Sequence, residues 1–161
     1  MLKRMLSIIC VLAAAAPLAA DAIAADLKVT DIAGRWQGNN WFEDTSGVLT
    51  LDIVACGDGW CGIRVAANDM CAGTALKVGA GTVEEDNAQF EGTLELAPGT
   101  EPYTVHATIF PPEEGKPLAM QITGDTGGQF RAYRRSFPFE AQIARVRDAV
   151  CEAPQTVSSL P

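Results

Sequence analysis

Val54-Ala55-Cys56-Gly57-Asp58-Gly59-Trp60-Cys61-Gly62-Ile63 sets two apolar runs on either side of a Gly-Asp-Gly connector, with a cysteine in each run. Gly and Asp accept the backbone conformations of a tight reversal, so the stretch reads as a β-hairpin. Antiparallel partners lie about 4.5–5.5 Å apart at Cα, within reach of a disulfide. The expected product is a stapled hairpin in an oxidising compartment. Leu49, Leu51, Ile53 and Ala55 alternate on odd positions before the turn, and Cys61, Ile63 and Val65 are apolar on odd positions after it. Direct pairing of Cys56 with Cys61 sets Ile53 opposite Arg64 and mixes the faces, because a slip of one residue turns every side chain over. A bulge near Cys56 or Gly57 is the expected remedy.

Outward from the hairpin, the chain begins with a different kind of segment. Lys3 and Arg4 precede an apolar run over 5–20, and Ala22-Ile23-Ala24 fits a small-residue cleavage site. Residues 1–25 therefore read as a secretory signal peptide, without a membrane anchor. Residues 26–153 make one domain and 154–161 a frayed polar tail. Without the leader 19 acids stand against 10 bases, a net charge of −9. Such a field excludes nucleic acid as a partner and does not draw the chain to anionic lipid. A periplasmic or secreted monomer is expected.

Four cysteines remain after the leader: Cys56, Cys61, Cys71 and Cys151. An even count in an exported chain implies two disulfides, with three possible connectivities. Local pairing of Cys56 with Cys61 leaves Cys71 for Cys151. That second bridge closes a loop of about 80 residues, a stabilisation of roughly 4 kcal/mol in the chain-entropy account. A four-cysteine zinc site is the competing reading, although Cys71 and Cys151 do not form a second close pair.

The rest of the chain is patterned as short strands. Ala33 to Phe42 reads as the first strand, and Phe90, Gly92, Leu94 and Leu96 alternate with Glu91, Thr93 and Glu95. Val105, Ala107 and Ile109 alternate with Thr104, His106 and Thr108, again with period two. A weak strand over 76–83 is loosened by Gly79 and Gly81, and a final strand is expected over 129–135. Helical spacing occurs once, where Phe139, Ile143, Val146 and Val150 fall at steps of four, three and four. The fold class is all-β: a small antiparallel up-and-down barrel of about eight strands with a C-terminal helix.

Gly34-Arg35-Trp36 on the first strand, with Arg131 or Arg134 in the last strand and a helix after it, resembles the lipocalin and calycin barrels. The resemblance implies that one of these arginines covers the Trp36 ring and closes the barrel floor. The hairpin over 53–62 is similar to that of a family of small exported bacterial proteins of unknown function, also expected to be lipocalin-like. The likeness covers about residues 33–80, and the Trp-Thr-Arg ending of that family is absent here. It brings no activity with it.

Residues that could carry chemistry are few. His106, the one histidine, sits mid-strand opposite an apolar face, and general-base work or metal binding usually wants a partner nearby. Asp125-Thr126-Gly127 matches an aspartic-protease triplet, but that chemistry needs two carboxylates sharing a proton. Glu84-Glu85-Asp86 lacks a spaced oxygen-ligand loop and reads as a solvated turn. The expectation is a non-catalytic protein with no cofactor and no metal. Trp41, Trp60 and Phe90 are the candidate binding residues, lining a cavity for a small apolar or envelope-derived ligand. The alternative is an inhibitor or interaction protein acting on an exported protease or other envelope protein, with the aromatics as surface anchors or plain core. Arg131, Arg134, Arg135, Arg145 and Arg147 form a basic cluster whose simplest role is pairing with acids.

Overall fold

Period-two alternation dominates the sequence, and the chain folds accordingly. A computed structural model describes residues 26–42, 45–125 and 138–154. Its strands are β1 (Gly34–Phe42), β2 (Thr45–Cys56), β3 (Gly59–Val65), β4 (Cys71–Val78), β5 (Thr82–Glu84), β6 (Asn87–Leu94), β7 (Tyr103–Phe110), β8 (Ala119–Asp125) and β9 (Phe139–Arg147). All pairings are antiparallel. Strands β1 to β4 pair in sequence, β4 pairs β6, and β6 to β9 pair in sequence. Strand β9 then returns to β1, so eight strands close into an up-and-down barrel with β5 as an outer strand. Closure removes the open edges that a flat sheet of this size would expose. This architecture is consistent with a lipocalin-like fold.

The weak strand expected over 76–83 is two strands in line. Val78 faces Gly92 and Thr82 faces Gln89, so three residues of one strand oppose two of β6. That is a bulge. Gly81 takes φ of 80°, and a Cβ there would come within 2.3 Å of the Phe90 ring, so both conformation and space call for glycine.

Two expectations are corrected. The hairpin needs no bulge: Cys56 pairs Gly59 and Val54 pairs Cys61 in an unbroken register across a two-residue turn, with Gly57 at φ of 59°. Cys56 and Cys61 are diagonal neighbours on the outer face, with Cα atoms 5.7 Å apart. Leu49, Leu51 and Ile53 thus face inward, whereas Cys61, Ile63 and Val65 face outward into a second, smaller core. Apolar residues on both faces of β3 were mistaken for a register conflict.

The C-terminal helix is also absent: Phe139–Arg147 is strand β9. Phe139, Ala141 and Ile143 are buried with period two, while Val146 and Val150 are exposed, so the helical spacing was a coincidence of a short stretch. Barrel closure decides it. Strand β9 satisfies the edges of both β1 and β8, which a helix cannot do. The expected strand over 129–135, with Arg131 and Arg134, lies outside the described residues, as does the leader over 1–25.

The lumen is filled. Leu51, Ile53, Val105, Ala107, Ile109 and Ile122 are wholly closed to water, and Phe90 and Met120 nearly so. Surfaces that a water molecule cannot touch leave no water-sized void against them. In a barrel of eight strands, side chains alone can occupy the inside. Tyr103 and Phe139 meet toward the opposite end from η1, the short 3-10 turn Val29–Ile32, with ring centroids 5.7 Å apart.

Candidate functional site

The barrel floor is built from the N-terminal lead-in. Ile32 at the end of η1 is buried, and its carbonyl accepts the Trp36 indole N–H at 2.7 Å. Trp36 is wholly buried. Its register partner on β9 is Arg145, whose Nε donates to the Ala33 carbonyl at 3.0 Å and whose Nη2 reaches Asp148 at 2.8 Å. Gly34 adopts φ of 140°, and a Cβ there would lie 2.5 Å from Arg145 Nε. Arg131 and Arg134, one of which the resemblance places over the Trp36 ring, lie outside the described residues; Arg145 is an arginine that ties β9 to the lead-in beside the floor.

Beside the floor, on the outside, lies a corner tied by ion pairs and a disulfide. Arg35 and Asp52 are cross-strand partners on β1 and β2, both pointing away from the lumen. Both are nonetheless buried, because the C-terminal segment after β9 lies over them. Arg35 Nε donates to Asp52 Oδ1 at 2.6 Å and Nη2 to Oδ2 at 2.8 Å, a bidentate pair. The backbone N–H groups of Val150 and Cys151 each donate to Asp52 Oδ2 at 2.8 Å. Burial pushes the Asp52 carboxyl up, but the bonds from Arg35, Cys151 and Val150 outweigh it and hold it down to about 2. Bonding to Asp52 raises Arg35 well above its ordinary value against the effect of burial.

Asp69 extends the cluster from the turn between β3 and β4. It accepts from Arg35 Nη1 and, at 2.8 Å, from Arg147 Nη2, and these two guanidinium groups lower its pKa. Asn68 and Asp69 sit at φ of 63° and 60°, the left-handed region that Asn and Asp tolerate best among residues with a Cβ. The Cys71–Cys151 disulfide, with Cα atoms 5.8 Å apart, fastens the segment to β4. Cys61, Ile63 and Cys151 form the small outer core beneath it, packed by Val54, Cys56 and Val65. Met70, Val146 and Val150 stand exposed around this corner.

Both disulfides follow the expected connectivity. Trp41, Trp60 and Phe90 are not brought together. Phe90 fills the lumen, Trp60 is half-buried against the main core, and Trp41 is 39% exposed on the outer face. His106 is an exposed outward residue, 3.5 Å from Glu91. Glu85 and Asp86 form the tight turn between β5 and β6 at φ of 48° and 66°. Sequence reasoning missed Arg35, Asp52 and Asp69. The available signal was Asp52 itself, a carboxylate between Leu51 and Ile53 in an otherwise apolar run.

Compared with known protein families, with curated proteins and with solved structures, the chain has no significant match.

Proposed function

We propose that this is a non-catalytic binding protein of the periplasm or the extracellular space, and that it works through its outer surface on an envelope protein. The observation that carries the reading is the filled lumen: closed side chains occupy the place where a lipocalin-like barrel would hold a ligand. Two disulfides fit an oxidising, non-cytoplasmic location. The corner offers what a protein interface uses, a rigid frame with apolar side chains at its rim. Met70, Val146 and Val150 are exposed there, beside an outer depression of about 350 Å³ lined in part by Val65, Val146 and Arg147. Pre-ordering by the ion pair and the Cys71–Cys151 bridge lowers the entropy lost on docking. A small apolar ligand is the second reading, favoured by the exposed indole of Trp41 and requiring a site outside the lumen.

The test is site-specific photo-crosslinking in the cell of origin. A crosslinker at Met70 or Val150 should trap one defined envelope protein, and a crosslinker at His106, an exposed outward residue of β7, should not. Equal trapping at all three positions, or no trapping together with a co-purifying apolar molecule, goes against the reading.

A further inference from the structure

We propose that the outer face of β8, β9 and β1 is a binding site for a neutral saccharide chain. This does not rest on the reading of the corner. The register lays out the face in rows. Gln37, Ala144, Ala119 and Phe110 are successive cross-strand partners, and Asn39, Gln142 and Gln121 make the next row. Trp41, Glu140 and Thr123 make the third. One charged side chain stands among these ten, in a chain with 20% charged residues. The first two rows line an outer depression of about 480 Å³, within the size range of ligand pockets. Gly38 lies in it as well, where a Cβ would come 2.1 Å from the Gln142 carbonyl, so β1 and β9 approach closely at its floor.

The lining is unusual in kind. Gln37, Asn39, Gln121 and Gln142 bring four carboxamides to one shallow groove. Glu140 Oε1 accepts from Gln121 Nε2 at 3.0 Å and from Gln142 Nε2 at 3.1 Å, so the one carboxylate is engaged in holding two of them. The side-chain carbonyl oxygens of these two glutamines accept no bond among the described residues. A carboxamide donates and accepts at once, as a sugar hydroxyl does, so a row of them matches a row of hydroxyls. Phe110 borders the groove and the exposed Trp41 indole stands in the third row, each an apolar face on which the C–H side of a pyranose can rest. An acidic polymer finds no cation in these rows and meets Glu140 in a chain of net charge −8. Gln37 donates to Thr50 Oγ1 at 3.1 Å, and a lipid tail would cover the Gln121 and Gln142 carbonyl oxygens and the Asn39 carboxamide without offering them a polar partner.

The experiment uses the full exported chain, labelled with nitrogen-15 and titrated with three tetrasaccharides: cellotetraose, an N-acetylglucosamine tetramer and tetragalacturonate. The expected result is a saturable shift of the side-chain NH₂ signals of Asn39, Gln121 and Gln142 with a neutral tetramer, at a Kd of about 10 μM to 1 mM, and none with tetragalacturonate. The two neutral arms separate a glucan from an acetamido glycan. Gln142→Ala and Phe110→Ala should each weaken binding at least about tenfold with the backbone spectrum otherwise unchanged, since a tenfold loss corresponds to one polar or stacking contact. Lys77→Ala should leave binding as it is. The proposal is overturned by no saturable shift up to about 10 mM, by equal binding of tetragalacturonate, or by binding that survives Gln142→Ala. It is also overturned if a crosslinker at Gln142 traps a protein while all three tetramers are ignored.

Discussion

The lumen and the strapped corner are the two places where this chain takes side chains out of water, and they do so by opposite means. The lumen needs only volume and alternation: Trp36, Leu51, Val105, Ile109 and Ile122 close it without a charged group. The corner lies outside the sheet and has few apolar residues to bury. It is closed by a bidentate ion pair, two backbone N–H donors and the Cys71–Cys151 bridge. The ionic and covalent ties stand where apolar area to bury is scarce, so they carry the stability of the corner that side-chain volume carries in the lumen.

The largest expected effect is on the lumen. Trp36→Ala should destabilise by roughly 3–5 kcal/mol in denaturant unfolding, because it empties a closed site and removes the donor to Ile32. Trp41→Ala, on the outer face, should cost less than about 1 kcal/mol, as exposed substitutions do. Equal costs for the two would erase the distinction between inside and outside.

At the corner, Asp52→Ala should cost about 3–5 kcal/mol, since it leaves the Arg35 guanidinium buried with its main partner gone. Arg35→Ala should cost about as much. If either variant unfolds at the midpoint of the parent chain, the corner carries no stability of its own. Replacing Cys71 and Cys151 together by serine should cost roughly 2–4 kcal/mol and free the terminal segment to proteolysis. The lumen should stay closed, since Cys151 packs in the small outer core and not in the main one.

A smaller effect separates the regions by pH. The folded Asp52 carboxyl sits at about 2 against an ordinary value of 3.8. The native state therefore binds fewer protons than the unfolded one between those values. The stability from Asp52 is fully present above about pH 5 and falls as pH drops from about 4 toward 2, a loss of about 2 kcal/mol. Asp52→Asn should flatten this acid limb in urea midpoints taken across that range. An unchanged limb would mean that other carboxyls produce it.

How far the sequence disclosed this arrangement depends on which force shaped each element. Strands with one buried face, such as β1 and β7, were legible because alternation has one cause there. The disulfides were legible from the even cysteine count that an expected leader leaves and from the close spacing of Cys56 and Cys61. Strand β3 was misread because it is apolar on both faces, and only the covering segment explains why. Strand β9 was misread because Phe139 and Ile143 satisfy both a helix and a strand period over so short a run, and the choice is made by the free edges of β1 and β8. Arg35 and Asp52 were missed because their pairing is a fact of the β1–β2 register, and their burial depends on a C-terminal segment about 100 residues further along the chain. Trp60 and Phe90 were grouped with Trp41 by composition, and the inward or outward sense of each strand position separates them.

The barrel interior is closed, and the proposed function therefore puts recognition on the outside. Methyl-labelled protein observed by NMR, titrated with an apolar probe such as a medium-chain fatty acid, tests this most directly. The methyl signals of Leu51, Ile109 and Ile122 should stay in place at all probe concentrations. A saturable shift of those three signals would place a ligand in the lumen and contradict the account.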